Sequence, residues 1–202
     1  SRKLVFKMQA QKKKVNLALF ASGSGSNAEA IIRHFEGHSK VKVSLIVTNK
    51  PNAGVIERAN RLQIPFHIVP KADFNNPNSI LEILDKHEVD WIILAGWLLL
   101  IPEYLVAKFE NGIINIHPAL LPKFGGKGMY GRHVHDAVLA AGEKDSGITI
   151  HFVNKHFDEG AVIAQYSVPI KKSDDVNDVE GKVRELELQN YSQVIEKTVL
   201  SN

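Results

Sequence analysis

The chain has 202 residues, 44% hydrophobic and 23% charged, the balance of an ordinary globular protein rather than a disordered or collagen-like one. The absence of cysteine removes disulfides, thiolate nucleophiles and cysteine-ligated zinc together, and favours a cytoplasmic setting. The net charge of +3 is unevenly placed, because residues 1–14 hold six cations and no acid and leave 19 basic against 22 acidic residues, so basicity alone does not argue for a nucleic-acid partner.

Residues 1–13 read as a solvated or tag-derived extension, with no apolar run behind the charges to make a secretory signal, and residues 14–202 as one domain. Val15 to Ala21 is a buried strand. Ser26 then caps a helix, Glu29 completes a capping box, and Ala28, Ile31, Ile32 and Phe35 share a face that Gly37 ends. A second strand, Val41 to Thr48, stops at the turn residues Asn49, Pro51 and Asn52. A short helix (Ala53 to Leu62), a strand (Phe66 to Val69) and a helix (Asn78 to Lys86) follow. The strand Trp91 to Ala95 leads into a helix opening near Pro102, and the apolar run Trp91 to Pro102 is shorter than the about 20 residues of a bilayer crossing. Gly112 to Ile116 is a fifth strand. Val- and Ile-rich strands alternating with helices imply βαβ units and a doubly wound α/β fold with a mostly parallel sheet. Gly147 to Val153 and Ala161 to Pro169 are separated too briefly for a helical crossover, so they form an antiparallel hairpin. A C-terminal helix with Val179, Val183, Leu186, Val194 and Ile195 on its apolar face closes the chain.

Three places on this framework carry chemistry. Ser22-Gly23-Ser24-Gly25-Ser26-Asn27-Ala28 joins the first strand to the first helix, at the edge where open parallel sheets bind ligands. Its glycines allow close backbone approach, and the free N–H groups of the helix start suit a phosphate. The same residues fit G-x-G-x-x-A, but a dinucleotide site needs an acid at the end of the second strand. Val47-Thr48-Asn49-Lys50 offers none, which disfavours NAD and leaves a phosphate monoester.

The second place is Asn115-Ile116-His117-Pro118-Ala119-Leu120-Leu121-Pro122. His117 falls just past the fifth strand, with Asn115 on the same side two residues earlier, and Pro118 holds His117 extended. An amide beside an imidazole can stabilise an oxyanion and shuttle a proton. The third is Asp158 in the turn of the late hairpin. Turns favour Asp for conformational reasons alone, yet a carboxylate there would also raise the pKa of a nearby imidazole. Whether Asp158 meets His117 is open at this level. His133-Val134-His135-Asp136 invites a metal reading, but residues i and i+2 do not share a helix face, and no H-E-x-x-H set is present. Gly125 to Gly131 reads as a lid or a plain connector, and the lack of G-x-S-x-G disfavours a serine hydrolase.

Together these motifs resemble the phosphoribosylglycinamide formyltransferases, the folate-dependent enzymes of purine synthesis. The resemblance runs from about Val15 to near the C-terminus. It rests on Ser22 to Asn27, Ala95-Gly96-Trp97, the Asn115 to Pro122 octet, Gly147 to Val153 and Asp158 to Ile163. It implies a Rossmann-like formyltransferase fold with 10-formyltetrahydrofolate and glycinamide ribonucleotide as small-molecule substrates, and no metal, nucleic acid or membrane. On that resemblance Gly25, Ser26 and Asn27 would bind the phosphoribosyl part, Glu187 the glycinamide end and Arg184 the phosphate. Leu98, Leu99, Leu100 and Ile101, with Asn154, Lys155, His156, Phe157 and Asp158, would line the pterin pocket. Asn115 and His117 would flank the formyl carbon, and Asp158 would keep His117 protonated.

The sequence departs from the family pattern at Leu99, where many members carry arginine, at Asn75-Asn76-Pro77, which lacks another, and in the longer Gly125 to Gly131 loop. Formyltetrahydrofolate deformylase and methionyl-tRNA formyltransferase share the catalytic domain, and Pro118 fits the purine enzyme best. The readings from other classes are a non-catalytic nucleotide-binding module and a formyl-folate hydrolase. Glu187 separates them, since only an amine acceptor needs a carboxylate near the phosphate site. Removal of residues 1–12 is expected to lower the pI and leave activity intact.

Overall fold

The computed structural model describes residues 13–156 and 158–201 of the chain, so the basic extension lies almost wholly outside the described residues. Strands β1 (Val15–Phe20), β2 (Val41–Thr48), β3 (Phe66–Ile68), β4 (Trp91–Leu94) and β5 (Ile113–His117) alternate with helices α1 (Ser26–Phe35), α2 (Val55–Arg61), α3 (Pro77–Lys86) and α4 (Glu103–Lys108). After α5 (Arg132–Ala140) come the hairpin β6 (Asp145–Phe152) and β7 (Val162–Pro169), and then α6 (Val176–Leu200). The strands form one sheet in the order β3-β2-β1-β4-β5-β6-β7. The first five pair in parallel, while β6 runs antiparallel to both β5 and β7. This is the doubly wound α/β architecture with its late hairpin and C-terminal helix.

The strands are apolar on both sides because both sides are covered. Leu17, Leu19, Ile93 and Ile114 pack with Ile31 and Phe35 of α1 and Val179 and Val183 of α6. Ala18, Phe20, Ile92 and Leu94 point the other way, against Ile80 and Leu84 of α3 and Leu105 of α4. Phe74 reaches the same core from a 3-10 helical turn, Lys71–Asn75, which the apolar periodicity does not foretell.

One local expectation fails. Ser26 and Glu29 form no capping box: Gly25 is the cap residue with φ 81°, and no side chain caps α1. Glu29 instead faces Arg33 at 3.2 Å, Arg58 at 3.1 Å, and Arg61. The Arg61 hydrogen bond, aided by Arg33 and Arg58, holds its carboxyl at about 2, so three guanidiniums outcompete one backbone N–H. The capping box of this protein lies at α6, where Asp175 and Asp178 exchange two hydrogen bonds of 2.9 Å.

Tyr191 ties α6 to the sheet. Its hydroxyl donates to the Leu94 carbonyl at 2.7 Å, with the Ile114 carbonyl at 3.3 Å, and burial pushes the phenol pKa up. Tyr191→Phe keeps the ring and strands the buried acceptors. It is expected to cost about 1–3 kcal/mol in urea unfolding, and an unchanged midpoint would show the carbonyls satisfied without it.

Between β3 and the end of α3, His87 Nε2 lies 3.4 Å from His67 Nε2. Burial first, then the charges of His67 and Lys86, lowers the His87 pKa below its ordinary 6.5. The unfolded chain therefore binds a proton that the folded one refuses. This stability contribution is complete above 6.5 and declines as pH falls from there toward the folded value. Burial acts in the same sense at His135 and His151. Thermal melts taken from about pH 7.5 down to about pH 5.5 should show a falling Tm that His87→Gln partly flattens. A melt indifferent to pH across that window would refute the assignment.

Candidate active site

The carboxyl ends of β1, β4 and β5 open onto two adjoining cavities of about 350 and 370 Å³. The first is lined by the Gly23 to Asn27 loop, by Arg132 and His135 of α5, and by Glu180, Arg184 and Glu187 of α6. The second is lined by Leu98 to Ile101, Asn115, His117, the Gly126 to Gly131 segment, His151 and Asp158. Asn27, Gly96, Pro118, Gly131 and Glu187 border both, so an occupant of one can reach an occupant of the other.

The glycine loop is pinned from outside. Val55 N donates to the Gly23 carbonyl at 3.1 Å, and Arg58 Nε donates to the Ser24 carbonyl at 2.7 Å. Gly25 is required twice over, by its positive φ and because a Cβ there would sit 2.6 Å from Val55 Cγ2. With no side-chain cap on α1, its first N–H groups remain available at the cavity, the arrangement that accepts an anion. At the end of β2, where a dinucleotide site would place an acid, Asn49 accepts the Ser22 hydroxyl at 2.7 Å, and Ser22 Oγ in turn accepts Leu98 N at 3.1 Å. That position braces the loop. Glu187 accepts a hydrogen bond of 2.7 Å from Asn27 Nδ2, and burial raises its pKa.

In the second cavity, His117 is the last residue of β5 rather than the first beyond it, and is only 3% exposed. Its Nε2 donates to the Phe124 carbonyl at 2.7 Å, and its Nδ1 faces Asp158 Oδ1 at 3.5 Å. The same carboxylate oxygen lies 3.7 Å from His151 Nε2, and Asp158 Oδ2 accepts Gly126 N at 3.1 Å. The hydrogen bonds of His151 select its tautomer. Nδ1 donates to the Phe152 carbonyl at 2.9 Å, so Nε2 accepts from Asn115 Nδ2 at 3.3 Å. Burial lowers the His151 pKa and favours this neutral ring, while Asp158 Oδ1 lies 3.5 Å from His117 Nδ1 against 3.7 Å from His151 Nε2. Asn115 thus spends one amide N–H on His151 and keeps the other for the cavity.

Most residues singled out from the sequence meet here. Asn115, His117 and Asp158 converge in one cavity, and Gly25, Ser26, Asn27, Arg184 and Glu187 in the other. Leu98, Leu99, Leu100, Ile101, Asn154 and His156 also line the second. The exposed Lys155 is not among the residues that line it, and Phe157 lies outside the described residues. Of His133 and His135, only His135 is buried, as spacing on a helix requires. Among the described residues, no group of three or more His, Cys, Asp and Glu could hold a metal ion, and no helix is long and apolar enough to cross a membrane.

Within the glycine segment Gly126 contacts Asp158 directly, and Phe124 just before it contacts His117. Sequence reasoning missed His151, Arg132 and Glu180. The usable signal for His151 was the alternation of Thr149 and His151 with Ile148 and Ile150 in β6; the β5–β6 register places His151 directly opposite Asn115. Thr149 supports the site from behind. Its hydroxyl donates to the Ala119 carbonyl at 2.7 Å and accepts Leu121 N at 3.0 Å, which fixes the segment that follows His117.

Relatives of known name carry the same framework. The phosphoribosylglycinamide formyltransferase of Bacillus subtilis is 40% identical over 185 residues, covering 89% of this chain and 92% of its own. The chloroplastic phosphoribosylglycinamide formyltransferase of Vigna unguiculata is 42% identical over 193 residues, and the chain spans 62% of its length. The crystal structure of phosphoribosylglycinamide formyltransferase from Bacillus halodurans superposes with a TM-score of 0.83 at 33% identity, covering 92% of this chain and 96% of that one. The formyl transferase profile matches residues 15–195, from the first strand of the sheet into the last helix and across both cavities; the chain belongs to the formyl transferase family.

Proposed function

We propose that the protein transfers the formyl group of 10-formyltetrahydrofolate to the amine of glycinamide ribonucleotide, giving formylglycinamide ribonucleotide and tetrahydrofolate. The observation that carries this reading is the position of Glu187, a half-buried carboxylate on the wall shared by a phosphate-type cavity and a cavity holding Asn115, His117 and Asp158. The names of the relatives support it. The ribonucleotide's phosphate suits the α1 start, with Arg184 nearby, and its amine suits Glu187. The folate suits the second cavity, whose mouth carries Leu98, Leu100 and Tyr130 as exposed apolar side chains, the mark of a ligand-facing surface. On this reading the partners are two small molecules, the setting is cytoplasmic, and residues 14–202 act as one domain.

The chemistry follows from these groups. Desolvation at Glu187 strengthens its attraction for the substrate's amine and for a proton that the amine sheds. The amine nitrogen attacks the formyl carbon, and the carbonyl oxygen takes the negative charge. The free N–H of Asn115 donates to that oxyanion, and His117 Nε2–H joins it once it leaves the Phe124 carbonyl. The bond from carbon to the folate nitrogen then breaks as that nitrogen gains a proton, from His117 or from a water held by Asp158. Fixing the amine against the formyl carbon at the shared wall supplies much of the acceleration.

Protein, 10-formyltetrahydrofolate and glycinamide ribonucleotide are mixed, and tetrahydrofolate formation is followed. The expected result is turnover that requires the ribonucleotide. Equal rates without it would mean that water is the acceptor and would defeat the transfer reading.

A further inference from the structure

Away from the two cavities, one pair of side chains is arranged for chemistry that formyl transfer does not use. His67 stands on β3, opposite Val47 in the sheet register, and His87 closes α3, its backbone N–H donating to the Ile83 carbonyl at 3.2 Å. Neither residue lines the first or the second cavity. Both are half-buried, so solvent and small ions reach them.

The rings meet nitrogen to nitrogen rather than face to face. Their centroids are 5.5 Å apart with the planes at 71°, while the two Nε2 atoms are 3.4 Å apart. That separation is long for a hydrogen bond, whose usual range ends at about 3.2 Å. It is the separation of two corners of a tetrahedral zinc site, where Zn–N bonds of about 2.0–2.1 Å set the nitrogens about 3.3–3.4 Å apart. Two unprotonated Nε2 atoms so close repel unless a proton or a cation lies between them.

The surroundings favour the cation. A strand of the sheet and the end of a ten-residue helix hold the two backbones, so little ordering is left for the metal to impose. The helix C-terminus is the negative end of its dipole and works against the Lys86 charge beside His87. Imidazole nitrogens suit zinc, nickel and copper, and tetrahedral spacing selects zinc among them.

We propose that His67 and His87 chelate one zinc ion through their Nε2 atoms, with water completing the tetrahedron, and so tie the edge strand β3 to the end of α3. Two protein ligands are one fewer than catalytic zinc uses, so this is a stabilising clamp of modest affinity, separate from formyl transfer. Each Nε2 gives its lone pair to the metal and the ring proton stays on Nδ1. Protons compete for the same lone pairs, so binding weakens as the pH falls.

Zinc chloride is titrated into the full chain by calorimetry at about pH 7.5 and about pH 5.5, beside His67→Gln, His87→Gln and the double variant. One zinc per chain is expected at the higher pH, weakened roughly tenfold or more in each variant and at the lower pH. Zinc should raise the Tm of the wild type and leave that of the double variant where it stands, because only a ligand of the folded state moves the midpoint. Turnover should be the same in all four proteins. In the wild type alone, zinc should shift the ring NMR signals of His67 and His87, a measurement that needs no variant to fold. Zinc affinity weaker than about 1 mM in the wild type overturns the proposal. So does unchanged affinity in the double variant, or a zinc shift at His117 and His151 in place of His67 and His87.

Discussion

His117→Ala is expected to lower kcat by roughly 10²- to 10⁴-fold, the range over which a positioned acid–base group acts. The side chain is almost fully enclosed at the end of β5, held by the Phe124 carbonyl at 2.7 Å and facing Asp158 at 3.5 Å, so no other described residue stands ready in its place. His151 is the nearest imidazole to the same carboxylate, but burial keeps it neutral, and its Nδ1 is engaged with the Phe152 carbonyl. The loss should fall on kcat rather than on the KM of either substrate, because neither the α1 start nor Glu187 is touched. A kcat within about threefold of wild type would remove His117 from the mechanism.

Asp158→Asn should cost kcat on the order of 10²-fold with the fold preserved. The substitution is mild for the backbone: Asp158 has φ 57°, and asparagine adopts that left-handed conformation more readily than most residues. An amide oxygen can still accept Gly126 N, now at 3.1 Å from Oδ2. What disappears is the negative charge beside His117 Nδ1. If the two residues work as a unit, the His117→Ala/Asp158→Asn double variant will fall little below His117→Ala alone. Multiplying losses would show that Asp158 acts independently, for example by holding water.

Asn115 belongs to the same unit through His151. The neutral imidazole accepts one amide hydrogen and so orients the other, a role that needs no contact between His151 and substrate. Glu187 is held in a comparable way by Asn27, a residue 160 positions away in the chain. The site therefore depends on the packing of α6 onto the sheet, which is where the Tyr191 hydroxyl meets the Leu94 and Ile114 carbonyls. A change at Tyr191 would be felt first as stability and then as loosened placement of Glu187.

Much of this was legible in the amino-acid order because it is local. Apolar runs rich in Val and Ile must be buried strands, a brief linker between two of them must be a hairpin, and a glycine loop between strand and helix must present backbone N–H groups. Period-2 geometry alone put Asn115 and His117 on one side of β5. The Asn-Ile-His-Pro-Ala-Leu-Leu-Pro segment with Asp158 behind it pointed to the family that the profile over residues 15–195 now shows.

Tertiary structure decided the rest, because each remaining question was a competition between distant groups. Glu29 has the spacing of a capping box, but the arginines of α2 arrive from 29 and 32 residues away and take its carboxylate. Asp158 could have been a plain turn residue until the β5–β6 pairing brought the hairpin turn over His117. Lys155 shares that turn and does not line the cavity, a difference that neighbouring positions in sequence do not reveal. Arg132 and His135 carried no signal of their own. Only the packing of α5 and α6 around one cavity puts Arg132 and His135 on its wall. Spacing along a chain reports which face a side chain takes; what it meets there is set by long-range packing.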